Sequence, residues 1–423
     1  MKMRLVVLII AAMLVFTIYS WATALDFDLF GQLYLRYLSL LFAPLGLLFI
    51  FFQFVFVSRI KTIESGFGLD RMFRWHRIFG RIGLFFVTFH MILIVFYRFG
   101  AYGEILADTF IWVGIAALLG FMITAGLAAT YKKLGLAYEV WRNIHLANYL
   151  LFPFVLIHVF FHTQTGSLLY YLWLFLAVLF FAIVIYRLAR IAAVRKNPHE
   201  VVEVRQEAED IWSLFFDGPR FSYKPGQFMF IQLLRDGILS EPHPFTISAS
   251  PTAEYRSITP KQLGDFTKTI KDTKVGDRAF IDAPYGVFSI LNYDRGEPVF
   301  IAGGIGITPF MSMLRYMRDQ KFDKKVTLFW ANRNEKSLCF QDELEKMQEE
   351  MPGFRAILVM SDQPDWPGVK GHLRGPMILD QLESIEGKEF FICGPPAMSR
   401  ATMTELKQLN VPPSRIHSEL FEL

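Results

Sequence analysis

The sequence predicts a membrane protein in three parts: six transmembrane helices over residues 1–193, a small antiparallel β-barrel over 194–293, and an α/β nucleotide-binding domain over 294–423. Three observations carry that expectation. Long uncharged runs fill the first part, short alternating strands with Pro-Gly turns fill the second, and hydrophobic strands alternate with helices through the third. Composition agrees: 53% of the residues are apolar and only 19% charged, against roughly 25% charged in a soluble chain. Nearly all of that deficit falls before residue 192, which excludes a single soluble enzyme and equally a disordered or fibrous chain. A net charge of +4 gives no nucleic-acid footprint. The two cysteines, Cys339 and Cys393, are too few for an iron–sulfur cluster or a four-cysteine zinc site, and they do not suggest a disulfide scaffold.

A hydrocarbon layer about 30 Å thick needs about 20 helical residues to span it. Runs free of Asp, Glu, Lys and Arg cover Leu5 to Leu25, Tyr37 to Ser58, Ile82 to Tyr97, Thr109 to Tyr131 and Asn143 to Tyr186. The last run holds two spans, divided by Thr163-Gln164-Thr165-Gly166-Ser167 into helices near 143–162 and 168–187. The third is short, and Arg74 to Arg81 can extend it. Basic residues set the orientation. They precede span one, gather at Arg59 to Arg81 and Lys132 to Arg142, and follow span six at Arg187 to Lys196. The opposite loops hold Asp26, Asp28, Glu104 and Asp108. Both termini are therefore expected on the cytoplasmic side of a cell membrane. Ala22-Thr23-Ala24 resembles a signal-peptidase site, but the apolar run before it is long for a signal peptide, so an uncleaved first helix is expected.

Ionisable side chains at membrane depth are costly and mark function. His76 and His90 lie fourteen residues apart on span three, about 21 Å along one helix face. His145 and His158 lie thirteen apart on span five, about 20 Å. Both helices run from inside to outside, so the four imidazoles form an inner pair, His76 with His145, and an outer pair, His90 with His158. Two stacked b-type haems, each with both axial positions filled, suit that pattern. His162 competes with His158. Helical phase does not separate them, because Pro153 can kink the span. Depth favours His158, which matches His90 to about 1.5 Å along the axis, whereas His162 overshoots by about 4.5 Å.

In the second part His243-Pro244-Phe245-Thr246-Ile247-Ser248 combines a polar anchor, an aromatic ring and hydroxyls, a run able to hold a flavin. Gly264-Asp265-Phe266-Thr267 opens a helix whose free N–H groups suit a pyrophosphate. Strands often carry Thr and Phe, so the first run is weak alone, and ordinary helix capping would account for the second. Asp282-Ala283-Pro284-Tyr285-Gly286 closes the barrel as a turn. In the third part Gly303-Gly304-Ile305-Gly306-Ile307-Thr308-Pro309 follows a strand and opens a helix, the context in which glycines let a pyrophosphate approach closely. Cys393-Gly394-Pro395 repeats that strand-to-helix logic. Arg333 stands just beyond a strand, where an acidic residue would take the ribose hydroxyls of NADH and a cation instead favours the 2′-phosphate of NADPH.

In this order the motifs resemble those of the NADPH oxidase / ferric reductase family across nearly the whole chain, most of all the compact bacterial NADPH oxidases. The spans bearing His76, His90, His145 and His158 look like a ferric-reductase transmembrane domain. The remainder looks like a ferredoxin-reductase-type dehydrogenase. The resemblance implies that His243, Phe245 and Thr246 hold FAD and that Thr308, Arg333 and Cys393 line the NADPH site. It implies further that Phe421 covers the flavin ring where nicotinamide must enter, although Glu422 and Leu423 follow it here. Arg36 resembles an arginine beside the outer haem where oxygen is reduced; a snorkelling interfacial arginine would look the same.

The expected activity is electron transfer from cytoplasmic NADPH through FAD and two haems to an outer acceptor. With both axial positions of each iron filled by protein, outer-sphere reduction of O2 to superoxide is the expected outcome. A ferric or other metal-chelate reductase using the same path is the main rival. A transporter is disfavoured, because the spans carry no acidic residues, and a flavin reductase merely tethered by helices would hold no haem. The expected partners are the lipid bilayer and the outer acceptor, with no nucleic acid and no obligate protein partner.

Overall fold

The computed structural model describes residues 2–23, 25, 30–102, 108–293, 296–382 and 384–419. They form two compact units, Met1–Arg190 and Ile191–Leu423. The first unit is helical: α1 (Lys2–Ala22), α2 (Phe30–Val57), α3 (Lys61–Phe67), α4 (Leu69–Tyr102), α5 (Thr109–Thr130), α6 (Tyr138–Leu146), α7 (Asn148–His162) and α8 (Leu168–Lys196). Among the described residues six stretches are long and apolar enough to cross a membrane, with α6 and α7 together making the fifth. The third is the 34-residue α4, which runs well past its uncharged stretch through Arg71, Arg74, Arg77 and Arg81.

Helices in lipid gain little from apolar burial and associate where small residues let backbones approach. On α4, His76, Gly80, Gly83, Val87 and His90 recur three or four apart and share one face. A methyl group on Gly83 would lie 3.1 Å from Phe49 Cβ, and one on Gly46 would lie 2.6 Å from Val87. The contacts run in opposite directions along the two helices, so α2 backs α4 antiparallel. In the same way α5 backs α7: Gly120 faces Leu151, Gly114 faces His158, and Thr124 Oγ1 donates to Asn148 Oδ1 at 2.8 Å. The fifth span is interrupted at Ala147, whose N–H bonds the Ile144 carbonyl three residues back at 3.0 Å. That tightened turn separates the helix bearing His145 from the helix bearing His158, and Pro153 lies inside α7.

The second unit holds two sheets. β1 (His199–Ala208), β2 (Ile211–Asp217), β3 (Phe228–Arg235), β4 (Ile238–Leu239), β5 (His243–Thr246), β6 (Arg256–Ile258) and β7 (Arg278–Tyr285) make an antiparallel sheet in the order β4-β3-β7-β1-β2-β6, with β5 on β3. Among the described residues no ladder of strand pairs closes the expected barrel. One backbone bond, Ser248 N–H to the Ser257 carbonyl at 2.8 Å, joins the stretch after β5 to β6. Pro244 and Pro251 remove donors that a longer ladder there would need.

Six parallel strands follow: β8 (Glu297–Gly303), β9 (Val326–Asn332), β10 (Phe354–Met360), β11 (Val369–Lys370), β12 (Lys388–Cys393) and β13 (Ile416–Glu419), ordered β11-β10-β9-β8-β12-β13. Between them run α10 (Thr308–Asp319), α11 (Gln341–Glu350), α12 (Gly375–Leu382) and α13 (Pro396–Gln408), while the single turn α9 (Asp265–Lys268) belongs to the antiparallel half. The chain leaves β8 to build one side of the sheet and returns to β12 on the other. A crevice therefore opens at the carboxyl ends of β8 and β12, where open α/β sheets bind ligands.

Helix α10 joins the two sheets. Its Ser312 hydroxyl donates to the Ala249 carbonyl at 2.7 Å. Arg315 donates to the Ser248 carbonyl at 2.7 Å and grips the Glu343 carboxylate of α11 with two nitrogens, at 2.8 and 2.5 Å. Replacing Arg315 by Ala leaves both acceptors short of a strong donor, so the full chain should lose about 1–3 kcal/mol of stability, read as a lower thermal midpoint. Lysine should recover only part of it, lacking the two-pronged geometry. An unchanged midpoint in Arg315→Ala would show that the clamp adds nothing.

Candidate functional site

The membrane unit carries the four expected histidines on α4, α6 and α7, with differing surroundings. His76 on α4 and His145 on α6 face each other, ring centroids 6.0 Å apart and planes at 74°. Their Nδ1 atoms are buried without a hydrogen-bond partner among the described residues. His90 Nδ1 lies 2.8 Å from the Ser39 hydroxyl and donates to the Ser39 carbonyl at 3.0 Å. His158 Nδ1 donates to the Phe110 carbonyl at 2.7 Å. An imidazole that donates from Nδ1 leaves Nε2 as its lone-pair nitrogen, the arrangement that metal-ligating histidines adopt. Bonds of about 2 Å from one metal to two imidazoles on opposite sides put the ring centroids about 6 Å apart, and the His76–His145 separation matches that spacing.

His162 has a different neighbour. Its Nε2 is 3.7 Å from Asp108 Oδ2, and Arg98 reaches the same oxygen at 3.9 Å. Asp108 also caps α5, accepting from the Phe110 N–H at 2.9 Å, so the cap steadies the residue whose carbonyl holds His158. Gly114 lies under the His158 ring, where a methyl group would come within 2.7 Å of Nδ1. Arg36 is exposed on α2, one turn before Ser39.

In the antiparallel half His243, Pro244, Phe245 and Thr246 form β5. The His243 ring stacks on Phe266 at 3.9 Å, and its Nδ1 donates to the Glu241 carbonyl at 2.7 Å. Ser248 does not line an open surface. Its hydroxyl belongs to a buried ladder running Ser213, Thr259, Ser248, Ser257, with steps of 2.8, 3.0 and 2.9 Å. Gly264 opens a helix of one turn only, and Thr267 Oγ1 accepts from the Leu263 and Gly264 N–H groups at 2.9 Å each, which fixes the entry to that turn.

The glycine loop ends β8, and Cys393, Gly394 and Pro395 end β12, so the structure brings these two motifs together at the crevice. A methyl group on Gly306 would collide with the Cys393 carbonyl, and one on Gly303 would meet Met398 Sδ at 2.6 Å and Pro395 at 2.7 Å. Gly304 has φ +52°, a left-handed conformation facing open space, and the Trp330 indole holds its carbonyl at 2.8 Å. Thr308 and Pro309 begin α10, both buried. Burial, and then the Glu419 carboxylate, push the Cys393 thiol well up, so it stays neutral. Arg333 is exposed one residue past β9. Phe421, expected over the flavin, lies outside the described residues. Sequence reasoning missed Ser39, the Phe110 carbonyl and Asn332. Asn332 ends β9 buried, with neither amide atom hydrogen-bonded among the described residues. A polar residue closing an apolar strand was the available signal.

Comparison with known proteins agrees with this division. Residues 42–157 match the ferric reductase like transmembrane component, 189–289 an FAD-binding domain and 300–404 an oxidoreductase NAD-binding domain. The chain is 32% identical over 232 residues to the glycine betaine monooxygenase reductase subunit of Chromohalobacter salexigens, covering 52% of this chain and 62% of that one. It is 29% identical over 234 residues to the ferredoxin reductase component of 3-ketosteroid-9-alpha-monooxygenase from Rhodococcus rhodochrous, covering 52% and 64%. The matched stretches thus span less than two thirds of these relatives. The crystal structure of flavohemoglobin from Malassezia yamatoensis with bound FAD and heme is similar in fold, with a TM-score of 0.52 at 16% identity over 93% of this chain and 98% of that one.

Two glycine substitutions separate loop packing from loop conformation. Gly306→Ala drives a methyl group into a backbone carbonyl that cannot yield, and should cost more than about 2 kcal/mol and weaken dinucleotide binding at least tenfold. Gly304→Ala meets only the left-handed penalty of about 1–2 kcal/mol. Thermal midpoints and nucleotide titrations of the two variants check the order; equal losses would contradict it.

Proposed function

We propose that this chain, a transmembrane oxidoreductase with the domain architecture of ferric reductase and NADPH oxidase family proteins, passes electrons from cytoplasmic NADPH through FAD and two b-type haems to O2 on the outer side, giving superoxide. The observation that carries the reading is the His76–His145 pair, with ring centroids 6.0 Å apart, together with His90 fourteen residues beyond His76 on the same face of α4. When bound, nicotinamide and flavin supply hydride chemistry and the splitting of an electron pair, and haem supplies one-electron conduction.

The chain's own residues do the rest. His76 and His145 would hold the inner haem, His90 and His158 the outer, with His158 preferred over His162 because its tautomer is set by the Phe110 carbonyl while His162 faces Asp108. Haem held by two histidines at each site would supply one-electron transfer to an acceptor that does not bind the metal. Arg36, exposed toward the outer end of α2, would attract the anionic product. In the second unit the β5 run His243 to Thr246 would bind FAD. The glycine loop, Thr308 and the Cys393-Gly394-Pro395 turn would receive the dinucleotide at the crevice between β8 and β12. Arg333 would grip the 2′-phosphate, and Phe421 would cover the flavin face until nicotinamide displaces it. Basic loops between the spans favour a cytoplasmic second unit and cytoplasmic termini.

A second reading, reduction of a ferric or other metal chelate, is favoured by the match of residues 42–157 to a ferric reductase like component. The two separate in one experiment. NADPH-driven cytochrome c reduction should be largely abolished by superoxide dismutase, and ferric-chelate reduction should fall when oxygen is removed. Chelate reduction that persists anaerobically and ignores the dismutase would favour the metal reductase.

Nucleotide choice has its own test. Arg333→Ala should raise the KM for NADPH at least tenfold and leave that for NADH nearly unchanged, since only NADPH carries the phosphate. Equal changes would show that Arg333 does not discriminate.

A further inference from the structure

A serine inside an apolar helix ordinarily bonds the carbonyl one turn back. Thr17 and Ser20 on α1 do this, donating to Met13 and Phe16 carbonyls at 2.7 and 2.8 Å. Ser39 on α2 does not. Fully buried, it reaches across to α4, and its hydroxyl donates to the His90 carbonyl at 3.2 Å. The same hydroxyl oxygen lies 2.8 Å from His90 Nδ1, and the Ser39 carbonyl accepts from that nitrogen at 3.0 Å. One residue therefore contacts His90 three times, twice at the ring and once at the backbone. A residue needed only for close packing at this seam could be glycine, as at Gly46 and Gly83.

We propose that Ser39 is a positioning residue for the outer haem site. It fixes His90 as the Nδ1–H tautomer, sets the plane of the ring and raises the basicity of Nε2. Two acceptors on one N–H draw negative charge onto the imidazole, and a more basic ligand stabilises the ferric over the ferrous state. His158 depends on a backbone carbonyl alone, so among the described residues Ser39 is the side chain whose removal alters one ligand of one site. The inference rests on the reading that His90 is a haem ligand.

The test uses the full-length, haem-loaded protein and reads potentials and spectra instead of turnover. Ser39→Ala removes the hydroxyl with little change of volume. Haem content should stay at the wild-type value, one of the two midpoint potentials should rise, and the low-spin electron paramagnetic resonance signal of that site should shift, with the other site unmoved. Ser39→Thr, which keeps the hydroxyl, should restore the wild-type potential and signal. No movement of either potential, a fall, or equal movement of both in Ser39→Ala would overturn the assignment. The ligand reading fails separately: His90→Ala that retains the full wild-type haem content would remove it, whatever Ser39 does.

Discussion

A polar nitrogen at membrane depth must find a partner, because no water is there to supply one. Imidazole has two such nitrogens. His90 and His158 each find a carbonyl acceptor for Nδ1, whereas the Nδ1 atoms of His76 and His145 are buried without one among the described residues, and that contrast divides the membrane unit. α4 supplies His76 and His90 from one face, and α2 lies against it closely enough for Ser39 to reach His90. α7 supplies His158, and α5 backs it with the Phe110 carbonyl. The glycines at 46, 80, 83, 114 and 120 make that closeness sterically possible. Helix pairing and imidazole orientation are thus one design.

The second unit answers a different demand. A dinucleotide pyrophosphate needs backbone donors with no side chains in the way, and the two strand-end turns supply such backbone by packing on each other at Gly303, Gly306 and Gly394. That packing also seats α10, whose Ser312 and Arg315 hold the chain just after β5. The nucleotide crevice and the strand expected to carry flavin are consequently linked by a buried helix. Ser248 shows the cost of that arrangement to motif reading: its carbonyl serves the clamp and its hydroxyl serves the ladder.

Much of this was legible in the sequence where a single period decides. Uncharged runs of about twenty residues identify spans whatever packs beside them. His76 and His90 share a face because fourteen steps nearly close whole turns. The parallel sheet followed from alternating strands and helices, with glycine-rich turns at two strand ends. What depends on contacts between distant segments was not legible. The break at Ala147 follows no proline or glycine, and Pro153, which does carry a breaking signal, lies within a continuous helix. Ser39 resembles any small residue of an apolar helix until His90 is placed opposite. Gly264 does begin a helix, and nothing local in the sequence says that α9 ends after one turn.

The central claim is that four histidines hold two haems, His76 with His145 and His90 with His158. A pyridine haemochrome titration of purified protein, combined with redox titration of each single His→Ala variant, tests it most directly. The account predicts about two haems per chain in the wild type, loss of the same haem from the His76 and His145 variants, and loss of the other from the His90 and His158 variants. A wild-type value near one, or His76 and His145 variants that lose different haems, would contradict it.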